Sequence, residues 1–165
     1  MKRLSLFAAV LCLTACGPTA NQTSPAASGV QSPLIPGIYS GEMEHTVRTT
    51  ISGQTSEETM AQSIPLVIGS TGIPSWEGVE EFVGRKTTMD LGGGVEATLH
   101  CRSVEVRSDG VIITSDMTTT DGFGGIVIAT YEPAGQGSVK YTFDMVISQG
   151  TVSQTDHGVA ILIKS

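Results

Sequence analysis

The chain has 165 residues, with nine Lys and Arg against sixteen Asp and Glu, for a formal net charge of −7. That balance excludes binding to a phosphate backbone, which needs clustered cations, and its plain consequence is solubility. Three cysteines leave little room for a disulfide framework, so a folded part of this size must be held by its core.

The first residues read as a secretory leader. Met1-Lys2-Arg3 is a short basic start, and Leu4 to Leu13 is an almost unbroken apolar run. The run is too short to span a bilayer, which takes about 20 apolar residues, and it ends in small residues as a signal peptide does.

Leu13-Thr14-Ala15-Cys16 then resembles the lipobox of bacterial lipoprotein precursors: Leu, a small residue, Ala or Gly, and Cys. The resemblance covers about the first tenth of the chain. It implies a thioether-linked diacylglycerol on Cys16, cleavage between Ala15 and Cys16, and an acylated new amino terminus. It also implies a cell envelope address, with palmitate-type chains holding the protein to the membrane. Gly17 stands where some Gram-negative lipoproteins carry an inner-membrane retention Asp, so the expectation is the outer membrane, facing the periplasm or the cell surface. Two or more acyl chains anchor stably, and no later segment approaches transmembrane length.

Cleavage there changes the accounting. Loss of Lys2 and Arg3 leaves seven basic against sixteen acidic residues, a net charge of −9. Cys12 departs with the leader and Cys16 becomes a thioether, so only Cys101 remains as a thiol. It shares an alternation register with Val95, Ala97 and Leu99, which points it inward, where a thiol is inert and structural.

Residues 1–15 are therefore expected to be the signal peptide and residues 16–33 the lipidated cysteine and a tether. Gly17 to Pro33 is small, polar, proline-containing and uncharged, as disordered linkers are. It spans roughly 20–25 Å as a coil and about 55 Å extended. Residues 34–165 should form one domain.

In that domain Val, Ile and Thr dominate short apolar runs separated by Gly-rich turns, and no stretch holds a helical period. Gly37 to Ile51 alternates, with Tyr39, Met43 and Val47 on one face and Glu42, Glu44 and Arg48 on the other. Ser52 to Thr55 reads as a turn and Thr59 to Ile68 as a strand in which Pro65 places an edge, a bulge or a break. Trp76 falls in a loop, Val79 to Val83 is ambiguous, and Arg85 to Leu91 returns to strand. Val95 to Arg107 alternates and then changes phase, predicting a bulge near Arg102-Ser103. Ser108-Asp109-Gly110 is a hairpin turn into Val111 to Thr120. Gly125 to Tyr131, a run from Val139 to Ile147, and Thr151 to Ile163 complete the series.

Eight or nine strands joined by short turns describe an all-β antiparallel meander. Closing it into an up-and-down barrel removes the exposed edges, and consecutive hairpins favour this over the alternative, a β-sandwich. Gly37-Ile38-Tyr39 is faintly similar to the Gly-x-Trp start of lipocalin-like barrels. The match is architectural, because Tyr replaces the Trp, and it transfers no ligand.

No catalytic constellation emerges. Gly92-Gly93-Gly94 lies between strands and opens no helix, so it is a turn and not a phosphate cradle. His45, His100 and His157 lie on separate strands without ligand-pair spacing; His45 is expected inside and His100 outside. Asp156 and His157 are neighbours whose side chains leave opposite faces, no Gly-x-Ser-x-Gly elbow is present, and Glu57-Glu58 and Glu80-Glu81 read as solvated pairs. No catalytic, cofactor or metal residue is assigned, and no cofactor is expected. Trp76, the sole Trp, reads first as a plug of the core; otherwise Trp76 and Tyr39 are the residues to contact a ligand or cover a barrel mouth.

The resulting expectation is a lipid-anchored, non-enzymatic envelope protein. Its domain is a structural or protein-interaction module contacting an unknown envelope protein. The alternative is a lipocalin-like binder of a small apolar ligand. The discriminator is whether the interior is filled or hollow.

Overall fold

The computed structural model describes residues 30–76 and 78–165, and the leader, Ala15 and Cys16 lie outside them. Ten strands form one antiparallel sheet: β1 (Gly37–Ile51), β2 (Gln54–Ile68), β3 (Pro74–Trp76), β4 (Val79–Glu80), β5 (Lys86–Asp90), β6 (Glu96–Arg107), β7 (Gly110–Thr119), β8 (Gly124–Pro133), β9 (Ser138–Gln149) and β10 (Val152–Lys164). The spatial order is β4-β3-β2-β1-β10-β9-β8-β7-β6-β5. The sheet curls strongly on itself, as an up-and-down barrel does and a two-sheet sandwich does not. The first and last strands pair, and the hydrogen-bonded ring opens between β4 and β5.

Alternation sets the faces as the sequence implies. Tyr39, Met43, His45 and Val47 are buried on β1; Val111, Ile113, Ser115 and Met117 are buried on β7. Cys101 is buried and His100 exposed, and the β6–β7 register shifts between Cys101 and Ser103, where the change of phase predicts a bulge.

Two local departures have physical causes. The β1–β2 turn is only Ser52-Gly53, both at positive φ (50° and 83°), as a type I′ turn requires. Strand β2 therefore starts at Gln54, opposite Ile51, five residues before the expected start. Pro65, by contrast, takes the edge position, one of the expected alternatives: it pairs with Ser40 in unbroken register, and β2 has a partner on its other side only at Val67 and Ile68. Trp76 belongs to a short strand paired with Val79, not to a loop, and the two short strands β3 and β4 raise the count to ten.

Two residues ahead of β1 are also tied to the sheet. Ser32 Oγ donates to the Gly72 carbonyl at 2.6 Å, and Leu34 is buried in the core.

The interior packs as two clusters at opposite ends. One gathers Tyr39, Met43, Ile68, Val111, Val139 and Leu162. The other gathers Ala97, Met117, Phe123, Val127 and Ile147. Phe143 packs against both.

Candidate functional site: a cavity inside the barrel

The two clusters do not meet along the whole interior. A cavity of about 170 Å³ touches members of both, including Met43, Ile113, Met117, Val127 and Ile147. Its remaining wall is rich in thioethers and aromatic rings: Met89, Met145, Trp76, Tyr131, Tyr141 and Phe143. An apolar cavity of about 150 Å³ is large enough to take up benzene, so this space suits a small molecule.

The alternation that gives the curled sheet its inner face carries polar groups inward as well. His45 on β1 and Asp156 on β10 line the cavity, and His45 Nδ1 stands 3.0 Å from both Asp156 carboxylate oxygens. Both side chains are about nine-tenths buried. Burial raises the Asp156 carboxyl above its ordinary range, and the His45 hydrogen bond and charge only partly offset this. Gly158 makes the pair possible: a Cβ there would lie 2.7 Å from Met43 Sδ and 2.8 Å from His45 Cβ.

A second ionic group borders the open seam. Arg85 follows β4 and precedes β5; its Nη1 donates to the Val79 carbonyl at 2.6 Å and to Glu81 Oε1 at 2.9 Å, and its Nη2 to the Trp76 carbonyl at 2.8 Å. The backbone of the same residue pairs with β6, since Cys101 N donates to the Arg85 carbonyl at 2.8 Å. One residue thus stitches the β3–β4 hairpin to the β5–β6 edge. Burial raises the Glu81 carboxyl, and Arg85 pulls it back down in part.

Tyr131 and Tyr141 face each other across β8 and β9, their rings stacked at 5.1 Å between centroids. Burial is the main reason both phenols are pushed up, with Asp156 adding to the effect at Tyr141 and Tyr141 and Glu81 at Tyr131. Tyr141 therefore sits within electrostatic reach of Asp156, and Tyr131 within reach of Glu81. Gln62 also borders the cavity, and among the described residues its Nε2 is buried without a hydrogen-bond partner.

The expected contact residues part company here. Trp76 is half-buried and lines the cavity. Tyr39 is 1% exposed, and its hydroxyl donates to the Ile35 carbonyl at 2.7 Å, so it plugs the core at one barrel end. Cys16 is outside the described residues. His157 faces outward and pairs with Asp144 at 2.7 Å, while its neighbour Asp156 points in.

Alternation marks His45 as inward, but the His45–Asp156 pair and the Glu81–Arg85 pair depend on contacts that the sequence does not announce. Burial pushes the Cys101 thiol up to about 11, which keeps it protonated and unreactive.

Compared with protein-family models, with curated proteins and with solved structures, the chain has no match in any of the three.

Proposed function

We propose that this chain is a lipid-anchored bacterial envelope protein whose barrel binds a small, largely apolar ligand. One observation carries the binding: the barrel is hollow between its two packed ends, with an apolar wall interrupted by a few fixed polar groups. Ligand sites have this composition. A structural or protein-contact module needs no such cavity, and for this reason the carrier now ranks ahead of it.

The anchoring rests on the likeness of Leu13-Thr14-Ala15-Cys16 to a lipobox. Acylation of Cys16 holds the protein at the membrane, through the tether, and leaves the barrel free to meet its ligand; the outer membrane is the proposed site.

Native mass spectrometry of protein gently extracted from membranes tests the binding. The expected spectrum shows a small-molecule adduct that disappears in Ala129→Leu, a change that fills the cavity wall. A protein that carries no adduct and takes up no small aromatic molecule overturns the reading.

A further inference from the structure

The charge inventory of the cavity restricts what it accepts. Among the described residues its wall holds two carboxylates, Glu81 and Asp156, but only one permanent cation, Arg85. Arg85 is committed: it bonds Glu81 and two backbone carbonyls at once. Asp156 is met by the imidazole of His45, through Nδ1, by the backbone N–H of His157 and, more remotely, by the His157 imidazole. None of these is a permanent cation, and with both rings neutral the cavity carries one uncompensated negative charge. The groups facing Asp156 from the neighbouring strands are His45, Met145 directly opposite on β9, and the phenol of Tyr141, whose own ionisation Asp156 opposes. None of them supplies a fixed positive charge.

We propose that the occupant is an apolar organic cation, a small amine or ammonium compound, whose charged nitrogen is neutralised by Asp156 while its body lies against the aromatic and methionine side chains. The assignment rests on the reading of the barrel as a ligand carrier and names the chemistry of its ligand. Aromatic faces attract cations through their quadrupoles, and Trp76, Tyr131, Tyr141 and Phe143 all border this one space. Burial disfavours the ionised forms of both Asp156 and Glu81 more than their partners favour them, so an entering cation relieves a cost that the empty protein bears. An anionic ligand of the same size would add to that cost. The whole chain supports the same sign, since its net charge of −7 raises the local concentration of cations around it.

Four matched probes of the size of the cavity decide the matter: benzylamine, benzyl alcohol, ethylbenzene and benzoate. Each is titrated at pH 7.5 into the ¹⁵N-labelled full-length chain and followed by amide shifts around the cavity. Benzylamine should bind about tenfold more tightly than ethylbenzene or benzyl alcohol, the range of a charge-assisted contact, and benzoate most weakly. Asp156→Asn, which keeps a hydrogen-bond acceptor for His45, should erase the advantage of benzylamine and leave ethylbenzene binding in place. Ethylbenzene or benzyl alcohol binding as tightly as benzylamine, or benzoate leading, overturns the cation assignment while the carrier reading stands. An advantage that survives in Asp156→Asn overturns the role of Asp156. Failure of all four probes to bind overturns both readings. Should Asp156→Asn not fold, the ranking on the unmodified chain still decides the charge of the ligand.

Discussion

His45 and Asp156 lie 111 residues apart in sequence, yet His45 Nδ1 reaches both carboxylate oxygens of Asp156 at 3.0 Å. The contact joins the first and last strands, whose pairing completes the run from β5 round to β4. A buried pair of this kind adds little over an apolar replacement, but removing one member strands the other's charge. His45→Leu is therefore expected to cost about 2–3 kcal/mol at pH 7 in urea unfolding, whereas Asp156→Asn should cost about 1 kcal/mol.

The pH dependence of that loss follows from the Asp156 carboxyl, which burial raises in the folded protein. A raised acid binds its proton more readily folded than unfolded, so its burial costs stability above the unfolded-state value and the cost fades as pH falls through the folded one. His45→Leu removes the group that most opposes this shift, leaving only the weaker help of His157. Its deficit against the unmodified chain should thus be larger at pH 7 than at pH 4. Equal deficits at the two pH values would show that lost packing, not the carboxylate, accounts for the change.

How far the sequence discloses this arrangement depends on the kind of information involved. A period of two assigns faces, and it places Met43, His45, Cys101, Ile113 and Phe143 inside before any coordinates are known. It does not say which strands adjoin. Nothing local in Asp156-His157 indicates that the acid pairs with an imidazole on β1 while the histidine pairs with Asp144 on the outside. Hollowness is equally hidden: Phe143 and Met145 point inward in either case, and only the distance across the barrel decides whether they meet partners. The early start of β2 was obscured for a simpler reason. Its first residues, Gln54 to Thr59, are all exposed, so they lack the apolar alternation by which a strand is recognised.

Arg85 provides the third prediction. Three of its hydrogen bonds end on the segment from Trp76 to Glu81, and its backbone is held by β6. Arg85→Met preserves much of the aliphatic stem and removes every donor. The Glu81 carboxylate is then left largely buried without its partner, which should cost about 3 kcal/mol. Hydrogen exchange should rise across residues 74–82 and remain unchanged in β9 and β10. Uniform acceleration over the whole sheet would mean that the residue supports global stability and not the seam.

All three tyrosines of the chain, Tyr39, Tyr131 and Tyr141, have phenols pushed above their ordinary range, chiefly by burial. Absorbance of the phenolate should therefore rise at higher pH in the folded protein than in urea-unfolded chain. The linkage has a definite sign. Above the unfolded phenol value, near pH 10, the unfolded chain binds fewer protons than the folded one, so stability falls as pH rises further. Alkaline unfolding should accompany tyrosine ionisation as one transition. A folded protein with freely titrating tyrosines would contradict the enclosed position of Tyr131 and Tyr141.

Gly158 supplies the last prediction, one that links backbone, pairing and site. It lies on β10 opposite both His45 on β1 and Phe143 on β9. A methyl group at this position would meet Met43 Sδ at 2.7 Å and His45 Cβ at 2.8 Å. The thioether can turn away, but the Cβ of His45 is fixed by its own strand, so the strand itself must shift. Gly158→Ala is expected to lose about 1–3 kcal/mol, the usual cost of overpacking. It should also lengthen the His45–Asp156 contact, visible as a change in the imidazole ¹⁵N shifts of His45 with those of the exposed His157 unaltered. If the variant keeps both its stability and the His45 signals, the strands have room that this packing denies, and the close approach of β1 and β10 is not what holds the pair together.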